Sequence, residues 1–284
     1  MEGIIQTIKE GVFASRDLVP QRYLQDKHDS SVIEATSGKD PLARKAVKIY
    51  GNFRKQDGGF KARVVAEIVC MKSICHPNII KLEEAIYSTL DDTISLITPL
   101  YRQGSLLHLM REKELDNLSI WRIFIEIGCA VRHLHKRRIV HGDIKPANIF
   151  ISETGSAVLA DFDQARSLGD QKSLTSWGGS RNFVGPEYYR DGCQVNPYLM
   201  DAYALGATVF AMYFFHSGPL KNGFNLEHHS ASLLEKPENQ QPRRYHLLLA
   251  MNRLVRTDPS RRKSVTRVLK DVPFPEMTER INGL

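Results

Sequence analysis

The rhythm of hydrophobic and polar positions changes once along this chain. Up to about residue 98 the apolar residues come in short or alternating runs such as "ARKAVKIY" and "TISLIT", the period-two signature of strands with one buried face. One stretch in this part, "KARVVAEIVCMKSI", has helical spacing instead. Beyond Gly104 the period is helical throughout, in "SLLHLMREKEL", "SIWRIFIEIGCAVRHLHK", "YLMDAYALGATVFAMYFF" and "YHLLLAMNRLVR", with Gly- and Pro-rich connectors between them. The pattern predicts an α+β fold with a small, mostly β part carrying one main helix, followed by a larger α-helical part. No internal repeat is present, and residues 1–20 and the polar "LEKPENQQPRR" are the candidates for low order.

Composition narrows the class. With 284 residues and 42% hydrophobic content the chain can bury one large or two modest cores. The longest apolar run, "ALGATVFAMYFF", is about half of the roughly 20 residues that a bilayer span needs, so a buried helix is expected and no membrane association. The amino-terminal "MEGIIQTIKEGVF" lacks the layout of a signal peptide, which leads us to expect an intracellular protein, cytoplasmic or nuclear. Cys70, Cys75, Cys129 and Cys193 form no CxxC pair, so reduced and mostly buried thiols are expected. The net charge of +7 is scattered through "RKQDGGFKAR", "HKRRIV" and "DPSRRK", and solvated helix faces account for such scatter better than nucleic acid as a primary ligand.

Candidate chemistry concentrates in residues 137–151, "RRIVHGDIKPANIFI". Transfer of a phosphoryl group needs a carboxylate to orient the attacking hydroxyl, a cation to neutralise the migrating group, and oxygen ligands for metal ions. Asp143, Lys145 and Asn148 meet these needs in turn, and thirteen residues later "LADFDQA" offers Asp161 as a second metal-binding group.

At this point the chain resembles the eukaryotic protein kinase family, with "HGDIKPAN" as catalytic loop and "DFD" as metal-binding turn. Further motifs match in order. "KAVKIY" resembles the third-strand lysine motif, which would put Lys48 on the α- and β-phosphates and Glu67 of the following helix in a pair with it. "GPEYY", "MDAYALG" and "TDPSRR" resemble the end of the activation segment, the central buried helix and the late arginine motif. Glu187 would then pair with Arg262, and Asp201 would hold the catalytic-loop backbone. The resemblance implies a two-lobed domain over residues 21–284, with an N-lobe at about 21–98, a hinge at 99–104, a C-lobe at 105–284, and residues 1–20 as an extension.

It also implies ATP with Mg2+, or Mn2+, held by Asn148 and Asp161. Adenine would lie between Val32, Ala46 and Phe150, with Thr98 behind it and Pro99 and Tyr101 in the hinge. Lys145 in "KPAN" goes with serine/threonine substrates, and Ser180 would bond the catalytic aspartate and lysine. Protein substrates and a monomer are expected. His141 is read as a core residue beside Phe162, Met71 and Leu82. His228 and His229, adjacent and without metal-ligand spacing, are read as part of a polar loop.

Three positions depart from the family pattern. Residues 25–30, "QDKHDS", hold no glycine where the phosphate-covering loop carries three, which is expected to weaken ATP binding or to force another route, such as side-chain contact from Lys27 or Ser30. Asp163 replaces the glycine of the metal-binding turn; Asp tolerates φ > 0, and its added carboxylate is expected to favour cation binding or shift the Mg/Mn preference. Gly142 replaces the arginine that couples catalysis to a phosphorylated activation segment, so activity independent of such phosphorylation, at Ser173, Thr175 or Ser176, is expected. The glycine-free loop keeps open a second reading, a pseudokinase that serves as a binding or regulatory scaffold. So compact and divergent a kinase would suit a virus or a parasite, with residence in the host cell.

Overall fold

A computed structural model of the chain describes residues 12–26, 29–40, 42–169, 178–189, 194–215 and 225–271. Two compact units divide it, one of residues 1–75 with 80–100 and the other of residues 76–79 with 101–284.

The first unit is an antiparallel sheet with one main helix. Its strands are β1 (Leu18–Asp26), β2 (Ser31–Ser37), β3 (Arg44–Tyr50), β4 (Glu84–Ser88) and β5 (Thr93–Pro99), in the order β1-β2-β3-β5-β4. Alternation along β3 sorts its side chains. Val47 and Ile49 join Ile33, Ala35 and Ile97 in a buried cluster, because Ile33, Val47 and Ile97 stand opposite one another across three strands. Ala46, Lys48 and Tyr50 take the other face, where Val32 stands opposite Lys48 and Thr98 opposite Ala46. Helix α1 (Gly58–Lys72) starts where the Asp57 side chain accepts the Phe60 N–H at 2.7 Å. Its buried positions Val64, Glu67 and Met71 share one helical stripe.

The stretch read as an extension reaches into this unit. Val12 and Phe13 are buried in the Ile33–Val47 cluster, and β1 begins at Leu18 rather than after residue 20. Two apolar residues without periodic neighbours give no local sign of this; the contact is made only when the sheet forms.

The second unit is mostly helical: α2 (Leu106–Glu112), α3 (Asn117–Lys136), α4 (Pro197–Phe214), α5 (Leu226–Leu234), α6 (Pro242–Leu254) and α7 (Val265–Asp271). In α3 the residues Ile120, Phe124, Ile127, Val131 and Leu134 are buried at helical spacing. Two short strand pairs, β6 (Ile139–Val140) with β9 (Arg166–Ser167) and β7 (Ile149–Ile151) with β8 (Ala157–Leu159), frame the segment that holds the catalytic motif.

Two sequence expectations are corrected here. His228 and His229 lie on α5, not in a loop: Asn225 caps the helix by accepting the His228 N–H at 2.9 Å, and the His229 ring sits 5.3 Å from Phe210. Much of "LEKPENQQPRR" is also ordered, since Asn239 is buried with its amide on the Leu233 carbonyl at 2.8 Å and α6 begins at Pro242. Among the described residues, no helix is long and apolar enough to cross a membrane.

Candidate active site

The catalytic motif leaves β6 at Val140 and returns at β7, with a single 3-10 turn, Pro146–Asn148, between. Its backbone is fixed from below by Asp201 on α4. The Asp201 Oδ2 accepts the His141 N–H at 2.9 Å and bonds the His135 ring at 2.9 Å, while Oδ1 accepts the Gly142 N–H at 3.0 Å. His141 is fully buried. Its Nδ1 accepts the Asp143 N–H at 3.3 Å and its Nε2 reaches the Ala160 carbonyl at 3.0 Å, which fits the tautomer protonated on Nε2. With the Phe162 ring edge-on at 4.9 Å, it is a structural residue, as its sequence context indicates.

Asp143 receives four donors. Its Oδ1 accepts the Ser180 N–H and hydroxyl, each at 2.9 Å. Its Oδ2 accepts the Lys145 ammonium at 2.6 Å and the Asn148 amide at 3.0 Å. Lys145 also donates to the Ser180 Oγ at 2.7 Å, which closes a three-residue ring of bonds. Ser180 is thus bonded to both Asp143 and Lys145, the contacts that the family resemblance implies.

The two residues expected to hold a metal ion are linked through the backbone. The Ala160 N–H donates to the Asn148 carbonyl at 2.8 Å, so the residue before Asp161 is tied to Asn148 itself. Both amide hydrogens of Asn148 turn to Asp143, toward its carbonyl at 2.9 Å and its carboxylate, which leaves the amide oxygen as the group for a cation. One amide oxygen and one carboxylate are hard ligands that suit Mg2+ or Mn2+ when phosphate oxygens complete the shell, so the residues fit the ion. The turn that follows is closed by the Ala165 N–H on the Phe162 carbonyl at 3.0 Å. The left-handed residue is Asp161, just before this turn, at φ +62°, and not Asp163. Asp163 therefore needs no special backbone tolerance.

Gly142 has a local reason to be glycine. Its φ is +84°, and a Cβ built on it would lie 2.7 Å from the Gln164 carbonyl oxygen. The same Gln164 lies over Gly178 with its side chain, where a Cβ would come within 2.1 Å of its amide oxygen. A side chain at residue 142 would thus be strained and would require the Gln164 backbone to shift.

The first unit carries the other set of predicted residues. Lys48 and Glu67 form an ion pair at 2.9 Å with Glu67 buried on the inner stripe of α1. Val32, Ala46 and Thr98 share the Lys48 face of the sheet, with the Thr98 hydroxyl on the Ala46 carbonyl at 3.4 Å, and Pro99 closes β5 opposite Lys45. In the second unit the rings of Tyr101 and Phe150 are 6.1 Å apart and nearly parallel at 21°. The distant pair of Glu187 and Arg262 is also formed, at 2.5 and 2.8 Å through both carboxylate oxygens, with both residues buried.

Some groups were missed by sequence reasoning. Asp29, in the β1–β2 connection, pairs with Arg63 of α1, and Ser31 donates to Asp26 at 2.5 Å, so this glycine-free hairpin is pinned by side chains. Tyr50 donates its hydroxyl to Glu67. Burial, then the Glu67 charge, push that phenol far above its ordinary range, which keeps it a donor. Its spacing of two from Lys48 on a strand was the available signal. Burial raises the thiols of Cys70 and Cys129, which fits unreactive core cysteines, whereas Cys75 is exposed. Lys27, Cys193, Ser173, Thr175 and Ser176 lie outside the described residues.

Residues 29–274 match a family model described as the protein kinase domain. Among curated proteins the chain is 31% identical over 151 residues to a calcium/calmodulin-dependent protein kinase kinase of Caenorhabditis elegans, covering 52% of this chain and 28% of that protein. It is 31% identical over 160 residues to the serine/threonine-protein kinase RUNKEL of Arabidopsis thaliana, covering 55% and 12%. It is 30% identical over 151 residues to the SNF1-like protein kinase ssp2 of Schizosaccharomyces pombe, covering 53% and 26%. The chain thus matches only about a quarter or less of the length of these relatives.

Proposed function

The chain belongs to the protein kinase family, and we propose that it transfers the γ-phosphoryl group of ATP to serine and threonine hydroxyls of proteins, without control by phosphorylation of its activation segment. The observation that carries this reading is the bonded ring of Asp143, Lys145 and Ser180. A carboxylate beside a cation is the pairing that phosphoryl transfer to an alcohol calls on, and the Ser180 hydroxyl ties the two together.

Asp143 has about four lone-pair positions and all four are engaged. An incoming hydroxyl must therefore replace one donor. Lys145 is the donor with somewhere to go: a γ-phosphate competes for its ammonium, and its departure frees Oδ2 to orient the hydroxyl and take its proton. Lys48, held by Glu67, grips the non-transferred phosphates. Bound Mg2+ or Mn2+ supplies charge neutralisation on the phosphate oxygens, and Asn148 and Asp161 are the residues to hold it.

Relatives that match this chain are described as serine/threonine kinases, which supports the substrate class. Protein substrates, a monomer, no nucleic acid as primary ligand and action inside a cell, cytoplasmic or nuclear, complete the proposal. In the glycine-free hairpin, the Asp29 carboxylate is paired with Arg63, which offsets the repulsion that this one carboxylate would add for phosphates. The alternative of a binding scaffold is kept for the case in which the following assay fails.

The test is incorporation of labelled γ-phosphate into generic acidic and basic proteins with Mg2+ or Mn2+, comparing wild type with Lys48→Met and Asp143→Asn. Label on serine and threonine, lowered at least ~100-fold by each substitution, is expected. Absence of mutation-sensitive incorporation under both metals overturns the kinase reading and leaves the scaffold.

A further inference from the structure

Glu67 is a carboxylate buried to 2% exposure, and such a group is costly unless its oxygens are satisfied. Lys48 donates to Oε1 at 2.9 Å. The hydroxyl of Tyr50 donates to Oε2. Tyr50 ends β3 two residues beyond Lys48 and so shares its face of the sheet, and the Lys48 ammonium lies 5.1 Å from the centre of the Tyr50 ring.

The ring itself is 2% exposed and continues into a chain of aromatic contacts at the start of α1. Phe60, in the first turn of the helix, meets Tyr50 edge-on at 5.8 Å, Phe53 lies 6.4 Å from Phe60, and Tyr87 lies 6.2 Å from Phe53. Arg63, one turn on, stacks over Phe60 at 5.2 Å and pairs with Asp29. The helix is thus fastened to the sheet at its first turns by ring packing and at Glu67 by two donors from one strand.

We propose that Tyr50 is a positioning residue whose hydroxyl holds Glu67 against β3, so that the Lys48–Glu67 pair persists without nucleotide and without any phosphorylated residue. A carboxylate held by one flexible lysine can be carried away when α1 rotates. A second bond, from a rigid ring on the same strand, removes that freedom. The device suits a chain whose residue 142 is glycine and therefore offers no guanidinium to a phosphate. Its bearing on catalysis rests on the kinase reading above; the tether itself does not.

The test follows amide hydrogen exchange in the full chain, free of nucleotide and treated with phosphatase, for wild type, Tyr50→Phe, Glu67→Met and the double variant. Tyr50→Phe keeps the ring and its packing. It should speed exchange of the amides around Glu67 about tenfold, the worth of one hydrogen bond to a charged group, and leave residues 117–136 unchanged as a check on folding. In the Glu67→Met background the same substitution should add nothing, because the hydroxyl has no carboxylate to hold. Steady-state kinetics should show kcat/KM for ATP lowered about tenfold with the KM for the protein acceptor unchanged. Unaltered exchange, or an effect of equal size in both backgrounds, overturns the proposal and reduces Tyr50 to a packing residue. An inactive wild type that still shows the exchange pattern refutes the kinase reading and keeps the tether.

Discussion

The catalytic loop and the β1–β2 hairpin are both polar turns assigned to phosphate chemistry, and they are built in opposite ways. The loop is held from inside: Asp201, His141 and Asn148 are buried, and each bonds a backbone group of the loop or of the strand beside it. The connection between the hairpin's two strands is held from outside, by the pair of Asp29 and Arg63, each about one-third exposed, and by an exposed bond between Asp26 and Ser31. Buried bonds leave an unsatisfied group when one partner is removed; exposed ones are replaced by water. The first design fixes a geometry, whereas the second only restrains a segment. A turn that must present one carboxylate to a reacting hydroxyl has need of the first kind.

That contrast can be broken most forcefully at Asp201. Replacing it by alanine strips the acceptor from two backbone N–H groups and from His135. We expect a loss of about 3 kcal/mol in chemical denaturation and a drop in turnover beyond about a hundredfold. Ser180→Ala, which removes one hydroxyl from the Asp143–Lys145 ring, should lower kcat about tenfold, while Ser180→Thr keeps the hydroxyl and most of the rate.

On the hairpin side, Glu34 of β2 bonds Arg22 and Arg44 from the strands on either side. Burial pushes its carboxyl up, but the two guanidinium partners more than offset this and its pKa is lowered. With the folded value below the unfolded one, the stability it contributes is complete above the ordinary carboxylate range and is lost as the pH falls through the lowered value. Denaturation of Glu34→Gln should therefore show a shallower acid limb below about pH 4.5 than wild type. The smallest effect belongs to Arg63→Ala, which should cost no more than about 1 kcal/mol and change the KM for ATP about threefold or less. A larger loss there than at Ser180 would reverse the comparison.

The sequence carried the catalytic loop almost whole, because Asp143, Lys145 and Asn148 sit at short fixed offsets and a 3-10 turn converts offset into position. The ordered distant motifs carried the rest of that side, down to the bond between Asp201 and the loop backbone. Lys48 and Glu67 were legible for a similar reason, a strand lysine followed by a glutamate on an inward helical stripe.

What was not legible depends on a close approach between segments. Gly142 reads from sequence as a missing arginine, and only the path of Gln164 past it shows what a side chain there would meet. The left-handed residue of the metal-binding turn is Asp161 rather than Asp163, a choice set by the strand and loop around it. Val12 and Phe13 find their partners across the sheet. For His228 and His229 the sequence does hold a helix signal, Asn225 as a cap before an apolar "L", and the cap rather than the histidine pair sets the local structure.

Independence from a phosphorylated activation segment, proposed above for this chain, has a direct readout in the first seconds of turnover. Protein treated with phosphatase, and shown by mass spectrometry to carry no phosphate, is assayed from the first seconds, beside a variant with alanine at Ser173, Thr175 and Ser176. Linear product formation with no lag, and rates within about twofold for the two proteins, are expected. A lag that shortens with prior autophosphorylation, or a variant that stays inactive, would contradict it.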